Sequence, residues 1–98
     1  MMARVKIELT ANDLKKDAIH YMETAEYELE RGFITDALIH RGAAGECVTQ
    51  LLYRLGANVY VMMGQAYLDA VCDFDRRVEE VFQRIDAAMD RLKELEGK

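Results

Sequence analysis

Few side chains in this sequence are equipped for chemistry. There are two histidines, His20 and His40, and two cysteines, Cys47 and Cys72. A thiolate beside an imidazole is a nucleophilic pair, and His, Cys and Asp side chains converging on one point make a zinc site. If the helices argued for below pair about a turn near residues 33–34, His20 falls opposite Cys47 and Tyr27 opposite His40. Asp36 then lies one turn from His40. That yields a single His–Cys contact, whereas zinc asks for three or four ligands. Structural or surface histidines are the expectation. Glu23, Glu26, Glu28 and Glu30 are dense, but a di-iron bundle needs Glu-x-x-His on two helices. The chain carries only the reverse order, His20-Tyr21-Met22-Glu23, so these acids read as a solvated face. Arg77, Arg84 and Arg91 recur seven apart, as a phosphate-tracking stripe would. Asp73, Glu80, Asp86 and Asp90 interleave with them, so ion pairs are the expectation. No glycine-rich phosphate loop and no C-x-x-C is present. No catalytic, metal or cofactor residue is expected.

The elements that would carry these side chains are helices. The 98 residues are 51% hydrophobic and 32% charged, with no proline, which favours long uninterrupted helices in one domain. Residues 4–9 alternate in polarity and read either as an extended arm, laid on the helices or paired with another chain, or as a frayed terminus. Thr10 to Asp13 is a capping-box variant. The first helix then runs to about Arg31 on a stripe of Leu14, Ala18, Tyr21/Met22, Ala25 and Leu29, with Gly32 as its left-handed stop. Thr35 is the expected cap of a second helix that runs to Leu55 and stops at Gly56. A connection this short predicts an antiparallel hairpin. Gly42-Ala43-Ala44-Gly45 inside that helix invites the close approach of another helix, since two interior glycines otherwise cost about 1–2 kcal/mol. Asn58 is the expected cap of the third helix, and Gly64 marks a candidate kink.

From Tyr67 onward the pattern is regular. Tyr67, Val71, Phe74, Val78, Val81, Ile85, Ala88, Leu92 and Leu95 recur at spacings of four and three, a repeat of 3.5 residues. Leu68, Phe82 and Met89 widen the stripe beyond a two-stranded seam, which suits a three- or four-helix bundle. The expected fold is therefore all-α. An extended arm over 1–9 precedes an antiparallel helical hairpin over 10–56 and a long heptad-patterned helix over 57–98, assembled as an oligomeric bundle. One hairpin is too short to cover that stripe. Tyr67, Val71, Phe74, Val78, Val81, Phe82, Ile85, Met89 and Leu92 are accordingly the expected interface residues of a homodimer or higher homo-oligomer.

The stretch Ala18 to Gly56 reads Ala-x-x-Tyr-x-x-x-Ala-Glu-x-x-Leu-x-x-Gly-x-x-x-x-Ala, then Ala44-x-Glu46, Leu51 and Gly56. It resembles the helical hairpin of HEPN-type domains and is similar to a small archaeal helical family of unknown function. Catalytic HEPN ribonucleases carry an arginine followed four to six residues on by a histidine; here Arg31 and His40 are too far apart. The resemblance implies a non-catalytic, dimer-forming member or an accessory subunit that binds a nucleotidyltransferase or nucleic-acid partner. No functional residue carries over.

The net charge of −5 repels phosphate backbones and disfavours a general grip on nucleic acid. The longest apolar run, Val59 to Met63, is far short of the ~20 residues of a membrane span. With free cysteines and no apolar signal core near Met1, a cytoplasmic location is expected. The expected function is a non-enzymatic oligomerising interaction or assembly module, free of cofactors, with another protein as a possible partner and no membrane contact.

Overall fold

The computed structural model describes residues 10–97; the arm expected over residues 1–9 lies outside them. The described residues are all-α. Helix α1 spans Ala11–Glu30, α2 Ile34–Leu55, α3 Val59–Met63 and α4 Gln65–Glu96. A single 3₁₀ turn, Gly56–Asn58, joins α2 to α3.

Helix α1 starts where its capping box requires. The Thr10 hydroxyl accepts the Asp13 N–H at 3.1 Å, and the Asp13 carboxylate accepts the Thr10 N–H at 3.2 Å. Two donors that an unfinished first turn leaves orphaned are thereby satisfied. Its buried face is Leu14, Ala18, Met22, Ala25 and Leu29, at the spacing of one helical stripe. The helix ends in a Schellman motif. The Phe33 N–H donates to the Glu28 carbonyl at 2.9 Å and the Gly32 N–H to the Leu29 carbonyl at 3.1 Å, around a Gly32 φ of +85°.

That turn is so tight that α2 begins at once. The Ala37 N–H donates to the Phe33 carbonyl at 2.9 Å, so Phe33 occupies the cap position without a side-chain bond. Thr35, the expected cap, lies inside the first turn instead. Helix α2 packs back along α1 through Ala37, Ala44, Cys47 and Leu51. Gly42 and Gly45 are not used in this packing. A Cβ on Gly42 would meet nothing within 4 Å, and one on Gly45 only the tip of Arg41 at 3.4 Å. Among the described residues the close helix approach expected there is not made.

The expected single helix over 57–98 is two helices. Asn58 is itself in helical conformation and caps nothing with its side chain. Helix α3 turns Val59 and Met63 into the core, and Gly64 then breaks the chain direction at φ +84°, ψ 160°, a region essentially restricted to glycine. Helix α4 leaves that break with Tyr67, Phe74 and Val78 buried. Two cross-helix ion pairs hold it. The Arg41 guanidinium donates twice to Asp75, at 3.0 Å each, and Arg77 pairs with Glu26. The core thus lies between α1, α2, α3 and the first half of α4, around Leu14, Leu51, Val59 and Phe74. The molecule measures 74 × 30 × 22 Å. At 1.5 Å per residue α1 and α2 are each about 30 Å long and α4 about 48 Å.

The two kinds of glycine make opposite predictions. Gly64→Ala places a side chain in a glycine-only conformation and should lower unfolding stability by about 1–3 kcal/mol. Gly42→Ala adds a methyl group in open space on a helix and should raise it by about 1 kcal/mol. Urea unfolding of the two variants reads both signs; a neutral Gly64→Ala would mean the break is not fixed as described.

Candidate functional site

The polar chemistry sits where α1 meets α2. The His40 Nδ1 is 2.6 Å from a Glu28 carboxylate oxygen and 3.0 Å from the Asp36 carbonyl. Both partners are acceptors, so Nδ1 carries the proton. The imidazole stacks on the Tyr21 ring with centroids 6.1 Å apart. The residue facing His40 is thus Glu28, not Tyr27 as expected; Tyr27 is exposed and lies under the Arg31 guanidinium, 4.8 Å from its ring centroid. A carboxylate-held imidazole resembles the oriented base of a nucleophilic triad, but no nucleophile faces it. The chain has no serine, Cys47 is buried on the core face of α2, and Cys72 is exposed on α4.

The expected His20–Cys47 contact is not formed. His20 is exposed and lies 6.1 Å, centroid to centroid, from the ring of its neighbour Tyr21. Burial pushes the Cys47 thiol up, and the carboxylates of Asp17 and Glu46 push it further, so it stays protonated. Among the described residues no three His, Cys, Asp or Glu side chains converge as a metal would need. Nor does any buried side-chain nitrogen or oxygen among them lack a hydrogen-bond partner.

The arginine stripe is engaged in ion pairs at its start. Arg77 reaches Glu26 and lies 3.5 Å from Asp73. Arg76 bridges Asp73 and Glu80, each at 2.6 Å, and that bond to Arg76 is the main reason the Asp73 carboxyl is held below its usual range. Hydrogen bonding to Asp75 likewise raises Arg41. Glu80 therefore pairs one turn back, with Arg76.

The heptad stripe of α4 divides in two. Tyr67, Phe74 and Val78 are buried in the chain's own core and Val71 packs against it. Burial raises the Tyr67 phenol. These four are occupied by α1, α2 and α3. Val81 is half-buried. Beyond it Phe82, Ile85, Met89 and Leu92 lie open, Phe82 at 44% and Leu92 at 58% exposure, and Leu95 continues the row. Val78, read as part of the stripe that one hairpin leaves uncovered, is buried. A second apolar surface was not foreseen: Leu38, Ile39, Leu52 and Tyr53 are exposed on α2, with Tyr60 and Val61 at α3. The signal lay in the sequence, since Ile39 and Tyr53 fall off the stripe that Ala37, Ala44 and Leu51 define.

No protein family, no curated protein and no solved structure matches the chain. Among the described residues no helix is long and apolar enough to cross a membrane.

The thiols report directly on this environment. Cys72 should alkylate as an exposed thiol, and Cys47 on the order of a hundredfold more slowly, at the rate of local opening. Equal rates in the native protein, followed by mass spectrometry, would show an activated thiol at Cys47 and reopen the nucleophilic reading.

Proposed function

We propose that this protein is a non-enzymatic assembly module: a helical hairpin, α1 with α2, that fixes one half of α4 and presents the other half to a partner helix in a homo-oligomer. One observation carries this reading. The apolar row Phe82, Ile85, Met89, Leu92 and Leu95 continues the stripe that is buried at Phe74 and Val78, yet among the described residues nothing covers it. Each large apolar side chain left in water forgoes roughly 1.5–3 kcal/mol of burial. Exposed apolar surface of this continuity marks an interaction site. The polar groups support the same conclusion. His40, Glu28, Arg41, Asp75, Glu26 and Arg77 are tied to one another, as positioning contacts are, and none is held ready for a substrate.

A second reading draws on the other open surface. Leu38 and Ile39 near the start of α2 and Leu52 and Tyr53 near its end are exposed apolar side chains outside the core. An accessory subunit of the HEPN-like kind would dock a different protein there, such as a nucleotidyltransferase, while α4 joins its own copies.

Light scattering after size exclusion tests the primary reading. The wild-type protein at micromolar concentration should have at least twice the 11.2 kDa chain mass. Ile85→Asp should shift it towards monomer, because a charge is then buried in the seam, whereas Tyr53→Asp should not. A stable wild-type monomer would sink the reading. In cells, His20→Ala with His40→Ala should leave the protein's role intact, and loss of that role without loss of folding would argue for chemistry at the histidines.

A further inference from the structure

Between α1 and the start of α4 lies an open groove of about 270 Å³. Ile19 and Met22 form one wall, Met63, Ala66, Tyr67 and Ala70 the other, and Glu23 and Glu26 complete the lining. Six of these eight side chains are apolar, and none belongs to the open row of α4. Glu26 is bound to Arg77. Among the described residues Glu23 has no ion-pair partner, and neither has Lys15, one turn before Ile19 on the same side of α1.

The chain enters α1 through Thr10, whose backbone is extended at φ −72°, ψ 163°. In the residues before it, Val5, Ile7 and Leu9 alternate with Arg4, Lys6 and Glu8, so an extended course would turn the apolar set to one side and the charged set to the other. Counted from Thr10 at about 1.5 Å per residue, Lys15 stands about 8 Å along α1, Ile19 about 14 Å, Met22 about 18 Å and Glu23 about 20 Å. A segment folded back along the helix at about 3.3 Å per residue brings Glu8 to about 7 Å, Val5 to about 17 Å and Arg4 to about 20 Å. Val5 then arrives between Ile19 and Met22. Glu8 comes level with Lys15 and Arg4 with Glu23, acid on base in both places. A segment tethered this closely is held at an effective concentration on the order of millimolar, an advantage that a free partner lacks.

We propose that this groove is the docking site of the chain's own residues 4–9, laid antiparallel to α1. Val5 and Ile7 enter the groove, and Arg4 and Glu8 stay at its edge, on Glu23 and Lys15. The site is separate from the open row of α4, so it stands or falls independently of the assembly reading.

Cross-linking of the full chain in a Cys72→Ser background tests it, with Cys47 left in place because it is buried. On mild oxidation Val5→Cys with Ile19→Cys should form a disulfide within one chain. It should do so about tenfold faster than Lys6→Cys with Ile19→Cys, whose first thiol reaches the same height but faces away, beyond disulfide reach. Ala66→Trp, which fills the groove from an exposed position on α4, should slow the first pair to the rate of the second while helix content stays unchanged. Equal rates for the two pairs would show a segment that samples the surface without docking, and would overturn the proposal. Links between chains would put the segment on a second copy and overturn the intramolecular site. Undiminished linking in a folded Ala66→Trp protein would move the segment out of the groove and overturn it equally.

Discussion

The seat of Phe74 and Val78 against α1 and α2 decides most of what this molecule presents to its surroundings. Small residues prepare it. Ala18, Ala25, Ala37 and Ala44 are fully buried along the two helices, so α1 and α2 lie close and a large ring from a third helix can close the core over them. Such a seat is intolerant of volume change, because interiors pack at crystal density. Arg41 with Asp75 and Arg77 with Glu26 flank it. Each of these arginines is more than a quarter exposed, so the pairs fix orientation more than they add stability. Once Phe74 is seated, the position of every later residue of α4 follows, and so does the point at which cover runs out.

Much of this was legible in the residues. Thr10 and Asp13 specify a reciprocal cap that requires only local geometry, and Gly32 specifies a left-handed stop for the same reason. The α1 stripe from Leu14 to Leu29 needs only helical periodicity. What depends on distant contacts was less legible. Thr35 looks like a cap on composition, yet the Schellman turn closes so tightly that the Phe33 carbonyl already accepts the first bond of α2. The third helix was expected over 57–98 with Gly64 as a candidate kink, since periodicity alone does not tell a kink from a full break. The core requires Val59 and Met63 to turn inward, and Gly64 supplies the break that allows it. The boundary between covered and open stripe was read about a turn too early: Val78 is buried and exposure begins at Phe82. Val78 and Phe82 are alike in the pattern and differ only in where α4 lands on α1 and α2.

The candidate chemistry shows the same division. The partner of His40 was misread by one residue, Tyr27 for Glu28, because a rule of opposite positions gives the level of a contact and not which side chain turns towards it. The outer face of α2 was overlooked because the glycines Gly42 and Gly45 drew attention to close packing. The exposed Ile39 and Tyr53 on either side of them are the more informative residues.

The free half of α4 also has a consequence for folding. A lone helix of fewer than about 12–15 residues is marginal in water, because most helical stability comes from packing an apolar face. Among the described residues the turns beyond Val81 lack that support. In the proposed homo-oligomer the backbone order of this segment is linked to protein concentration by mass action, as any equilibrium that favours a bound form is. Helix content would then be a property of the population, with the last turns fraying in dilute solution and ordering together as copies accumulate.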